Sequence, residues 1–178
     1  MIGRKDVRDA KKDTNDGGRS LRVMAVDPGK CTGYCYAAFK DGELYYYPFQ
    51  FYDDVDNFWD RLDAFGPSHI VIEDFQFRKG RTAGVSLFSV ELIGVARLYE
   101  AKHHRVVLHK QQPAQGKGYY TDATLKALGL YKRDGNEHAR DATRHLLQWA
   151  TFGPGYKYVG KDKGRNFAHV VELEAFDV

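Results

Sequence analysis

The first twenty residues carry almost no apolar side chains and end in Gly-Gly, so they cannot contribute to a core and read as a disordered arm. From Leu21 the pattern changes. RVMAVD reads as a buried strand, CTGYCYAAF as a second, and the aromatic run ELYYYPFQFY as a third. Lys40-Asp41-Gly42 carries the Asp-Gly hairpin signal between the last two, which predicts three consecutive antiparallel strands. Asp53 to Phe65 then places Val55, Phe58, Trp59, Leu62 and Phe65 at intervals of three and four, an amphipathic helix that Gly66-Pro67 stops. His69 to Ile72 is a short apolar strand ending at Glu73, and FQFRKGRTAG after it is irregular.

From Val85 to about Lys102 a second helix is apolar at Val85, Phe88, Leu92, Val95, Ala96 and Tyr99, and carries Leu87, Ile93 and Leu98 off that stripe. One face suits the sheet while the other seeks a partner. Arg105 to His109 reads as a fifth strand, and a last helix runs from about Glu137 to Thr151 with Asn136 as its N-cap. The basic, glycine-rich residues beyond Gly153-Pro154-Gly155 have no assigned structure. The expected domains are an arm over 1–20, an α/β unit over 21–155, and a basic extension over 156–178. Its architecture is a five-stranded mixed sheet flanked by helices.

That order locates the carboxylates. Asp27 ends the first strand at an Asp-Pro-Gly turn, Glu73 ends the fourth, and Asp141 lies near the start of the last helix with His138 three residues before it on the same face. Each has an ordinary reading alone, as a turn, a strand end or a dipole-favoured helix residue. Their joint occurrence in this order favours one site. Three carboxylates and an imidazole gathered together need positive charge between them, and oxygen-rich ligands suit Mg2+ or Mn2+. Two such ions about 4 Å apart promote in-line displacement at a phosphodiester.

Composition narrows the picture without deciding it. The 178 residues suffice for a core without disulfides or structural metal, and 27 Lys plus Arg against 24 Asp plus Glu leave a formal charge of only +3. Any nucleic-acid contact must therefore come from local clusters. Cys31 and Cys35, about 13 Å apart on an extended strand, are too far apart to bridge, and with His103, His104 or His109 they match no usual zinc spacing. No stretch approaches the ~20 apolar residues of a membrane helix, which points to a cytosolic protein.

VDPGKCTGY, IVIEDFQF and EHARDATRHLLQWA resemble the three catalytic motifs of RuvC-type Holliday junction resolvases, the last in its His-x-x-Asp form. The likeness spans about residues 21–151. It implies an RNase H-like fold, a homodimer, four-way branched DNA as substrate, two Mg2+ or Mn2+ ions without a small-molecule cofactor, and the cytoplasm of a bacterial or phage-infected cell. Carried over by position, Asp27, Glu73, His138 and Asp141 become metal-binding and catalytic. The resemblance further implies that Phe75 or Phe77 stacks on a base at the branch point, that Arg78, Lys79 and Arg81 hold phosphates, and that Lys110 and Lys117 are the basic residues after the fifth strand, Lys117 with a catalytic role. His145, four residues beyond Asp141, reads as a supporting or exposed residue, and Asp74 as pointing away from the site. The long aromatic second and third strands and both tails suggest a phage-type member. Rival readings are a nuclease for flaps, forks or RNA, a noncatalytic branched-DNA module, and a nucleotide phosphotransferase, for which the chain is too short.

Overall fold

The computed structural model describes residues 21–40, 43–76, 87–131, 136–155 and 170–172. The N-terminal arm, most of the C-terminal extension, the turn residues Asp41 and Gly42, and Phe77, Arg78, Lys79 and Arg81 lie outside the described residues. All five expected strands form: β1 (Leu21–Asp27), β2 (Cys31–Lys40), β3 (Glu43–Tyr52), β4 (His69–Glu73) and β5 (Val107–Gln111). A three-residue strand, β6 (Val170–Glu172), joins them to give the order β5-β4-β1-β2-β3-β6.

Pairing is antiparallel along the β1-β2-β3 meander and parallel for β1 with β4, β4 with β5, and β3 with β6. In β3, Pro48 lies opposite Cys35 and beyond Leu44–Tyr46, the stretch that β6 covers. A residue with no backbone N–H is tolerated there, where among the described residues no strand pairs with that edge. β5 begins two residues later than the periodicity suggests, because Val106 donates back to the His103 carbonyl and closes a turn first.

Among the described residues, five helices cover the sheet: α1 (Val55–Phe65), α2 (Phe88–Lys102), α3 (Pro113–Tyr119), α4 (Asp122–Ala127) and α5 (Glu137–Phe152). Asp54 caps α1 by accepting the Asn57 N–H at 2.7 Å, and Gly66, at φ 58°, ends it in the left-handed conformation. Asn136 stands at the N-cap of α5 without a side-chain capping bond. Neither α3 nor α4 is evident from periodicity. The first begins at Pro113, carries two glycines and is held by a reciprocal Gln112/Gln115 capping box; the second spans under two turns from its Thr121 cap.

Strand alternation divides the core in two. Val23, Ala25, Cys35, Ala37 and Val71 face α5, while Met24, Val26, Tyr34, Tyr36, Ile70 and Ile72 face α1 and α2. By the same period of two, Asp27 follows Val23 and Ala25 onto the α5 side, and Glu73 follows Val71. The carboxylates at the ends of two adjacent parallel strands therefore face the same helix.

What brings α5 close enough to meet them is Gly33, paired with Asp27 across β1 and β2. A Cβ at Gly33 would lie 2.0 Å from the His138 carbonyl oxygen and 2.8 Å from the Ala139 nitrogen. Gly33→Ala is expected to force the start of α5 off the sheet, with a destabilisation on the order of 1–3 kcal/mol or more in urea denaturation. An unchanged midpoint would contradict this contact.

Candidate active site

At the end of the sheet where β1 and β4 terminate, Asp27 and Glu73 meet His138 and Asp141 from α5. Asp27 is nearly buried, and its Oδ2 lies 2.8 Å from His138 Nδ1. Gln50 of β3 accepts the His138 backbone N–H at 3.1 Å, a tie that satisfies one of the free donors at the helix start. The turn after Asp27 is braced on both sides. Thr32 donates its hydroxyl to the Gly29 carbonyl at 2.6 Å, and Ser89 of α2 donates to the Pro28 carbonyl at 2.6 Å.

Each acid faces a base. His138 meets Asp27; His145 Nε2 meets Glu73 Oε2 at 2.8 Å; Lys117 Nζ meets Asp141 Oδ2 at 2.7 Å, while Arg144 binds the other Asp141 oxygen. Burial pushes the Asp27 carboxyl above its ordinary range; the His138 hydrogen bond opposes this, and the charges of Glu73 and Asp141 add to it. The hydrogen bond to Asp27, outweighing burial, raises His138, which Asp27, Asp141 and Glu137 also favour in its charged form. Burial works against the charged form of Lys117, but the hydrogen bond to Asp141 and the charges of Asp141, Glu73 and Asp27 prevail and raise it. The four groups thus lie within electrostatic reach of one another.

Among the described residues, no three His, Cys, Asp or Glu side chains form a ready metal cage. The donor chemistry nevertheless fits a hard divalent cation. Three carboxylates and an imidazole share one sheet end, a basic side chain stands against each acid, and burial together with the charges of Glu73 and Asp141 disfavours the ionised form of Asp27, which a bound cation would favour. Asp27, Glu73, Asp141 and His138 are the residues that would hold it.

Beside Glu73 opens a cleft of about 400 Å³, lined by Pro28, Asp74, Phe75, Gln76, Ser89 and Lys117 among others. Phe75 is half-buried and packs on the α1/α2 side of the core while it lines this cleft. Lys110 lies on β5 itself, where its ammonium is 2.8 Å from Asp74; the acid left out of the site is thus the partner of a lysine expected on DNA. His145 is fully buried, which removes the exposed alternative for it. Sequence reasoning missed Gln111, Arg144, Asp122 and Gln50. Only the α4 contribution left a signal, in the Thr121 cap and the αL glycine at 129.

No protein-family model matches the chain, and no curated protein does. Solved structures do. The T. thermophilus RuvC in complex with Holliday junction substrate aligns with a TM-score of 0.57 and 17% identity, over 73% of this chain and 92% of that one. A second Thermus thermophilus RuvC structure aligns at 0.53 and 19%, over 73% and 93%. The yeast mitochondrial Holliday junction resolvase Ydc2 aligns at 0.51 and 15%, over 93% and 92%. At these identities the likeness is one of architecture, and the chain has the RuvC-type, RNase H-like fold.

Proposed function

We propose that this protein is a divalent-metal-dependent endonuclease that cleaves branched DNA, four-way junctions above all. The observation that carries the reading is the convergence of Asp27, Glu73, His138 and Asp141 at one end of a RuvC-type sheet, the end at which β1 and β4 terminate. Two of the similar proteins are described as a Holliday junction resolvase and as a RuvC bound to junction substrate.

Divalent ions held by these residues would supply Lewis-acid polarisation of a phosphodiester and neutralise the charge gathering on it. The protein's own groups do the rest. Lys117, beside Asp141 and on the wall of the cleft, places a fixed positive charge where a phosphate oxygen would become more negative. Phe75 offers a ring at the same cleft for an unpaired base. His138 keeps Asp27 oriented and contributes an imidazole to the ligand set. Phe77, Arg78, Lys79 and Arg81 belong to the same proposal as the continuation of the DNA surface.

Symmetric cleavage of a twofold junction calls for two sites, and α2 supports a homodimer. Leu92, Ile93, Ala96 and Tyr99 are buried in the subunit, whereas Leu87, Val90 and Leu98 are 53%, 41% and 50% exposed. Ile93, counted from sequence with the outward residues, belongs to the core. Gly94 lies on the outward side with open space above it, so a second helix could approach closely there.

The decisive experiment compares a labelled four-way junction with a linear duplex of the same sequence, in Mg2+, in Mn2+ and in chelator. Paired nicks confined to the junction are expected, lost in chelator and in Asp27→Asn, Glu73→Gln and Asp141→Asn, with junction binding retained in all three. Wild-type rates in any of the three would sink the assignment; preferential cutting of flaps, forks or RNA would redirect it to those substrates. Mn2+ is expected to raise the Tm of the wild type, by about 2.7 kcal/mol of added stability at a hundredfold excess over Kd, and to leave Asp27→Asn little changed. Leu98→Glu with Val90→Glu is expected to yield a monomer in light scattering and to uncouple the paired nicks; a dimer of unchanged affinity would place the interface elsewhere.

A further inference from the structure

Two consecutive residues of α5 stand behind the acids, and neither belongs to the ligand set. Arg144 and His145 follow Asp141 by three and four positions, so all three share a helix face. The guanidinium of Arg144 is fully engaged: Nε donates to the Tyr120 carbonyl at 2.8 Å, one terminal nitrogen to Asp141 Oδ1 and the other to Asp122 Oδ1 at the start of α4. His145 is equally committed. Its Nε2 lies 2.8 Å from Glu73 Oε2 and its Nδ1 2.7 Å from Gln111 Oε1. The Gln111 amide nitrogen donates to the His145 carbonyl at 3.1 Å, so the amide orientation is set and Nδ1 must be the donor to Oε1.

Packing alone does not account for this pair. The neighbouring interior positions of α5 are Ala142, Leu146, Leu147, Trp149 and Ala150, and apolar residues could fill 144 and 145 without desolvating a guanidinium and an imidazole. α3 passes directly over both: a Cβ on Gly116 would lie 3.2 Å from Arg144 Cβ and 3.3 Å from the His145 ring. The two side chains are thereby largely shut away from water, and neither lines the cleft.

We propose that Arg144 and His145 are positioning residues that hold Asp141 and Glu73, respectively, in the orientation from which they bind metal. The inference rests on the nuclease reading above. Binding one oxygen of each carboxylate limits its rotation, so less ordering remains to be done when a cation arrives at the other oxygen, which at Asp141 now meets Lys117.

The test uses Arg144→Lys, His145→Gln, His145→Phe and Gln111→Met in the full chain, the last altering a residue that touches His145 but not Glu73. Mn2+ affinity, measured by electron paramagnetic resonance without DNA, is expected to weaken by roughly 10–100-fold in Arg144→Lys and His145→Phe. A smaller loss is expected in His145→Gln, which keeps a donor towards Glu73, and in Gln111→Met. Junction affinity in chelator should match the wild type, and kcat should fall with KM unchanged. Folded variants of lowered Tm that bind Mn2+ and cut at wild-type levels would reduce the pair to structural residues and overturn the inference alone. A wild type that takes up no Mn2+ would overturn the nuclease reading and this inference with it.

Discussion

Like charge is the constraint around which this end of the molecule is organised. Asp27, Glu73 and Asp141 are brought together by strand alternation and a helix contact, and in a partly buried setting their mutual repulsion would open the structure unless positive groups were built in beside them. Lys117, Arg144 and His138, whose charged form is favoured, are such groups, and His145 stands against Glu73. Three belong to α5 and the fourth to α3, which packs on it. The same helix therefore supplies the third acid and most of the charge that makes the gathering tolerable.

This arrangement explains why α5 is polar within. A helix that served only as a lid on the sheet would bury alanine and leucine, as this one does at Ala142, Leu146 and Leu147. Instead it interrupts that surface with a fully bonded arginine and histidine, and the short helices α3 and α4 supply the remaining partners through Tyr120, Asp122 and Lys117. Gly33 and Gly116 perform related tasks on opposite sides of α5, one admitting it to the sheet and the other admitting α3 to it.

The parts legible in the sequence are those with strong local periodicity. The first four strands, α1 and α5 follow from alternation or from three- and four-residue spacing, and the acids were found because each terminates or opens such an element. The parts that were not legible are made by contacts distant in sequence. Pro113 to Tyr119 has glycines and no apolar stripe, and it is helical because it lies on α5; β5 is displaced by a turn at His103; β6 pairs with β3 across more than a hundred residues. His145 could be placed on the face of Asp141, but its burial depends on Gln111 and α3, about which the helix pattern says nothing. Asp74 was set apart from the acids, but it lines the cleft beside Glu73, and its pairing with Lys110 could be known only from the register of β4 and β5.

The bond between Asp27 and His138 joins residues 111 apart in sequence. During synthesis, the β1-β2-β3 meander and β4 can form while α5 is still unmade, and the two strand-end carboxylates then stand without the residues that complete and compensate them. Asp141, Arg144 and His145 reach them only after the chain has been translated through the last helix. The site is thus incomplete until the last helix has been made, and a product terminated before it would carry two of the three acids and none of the groups on α5 that accompany them.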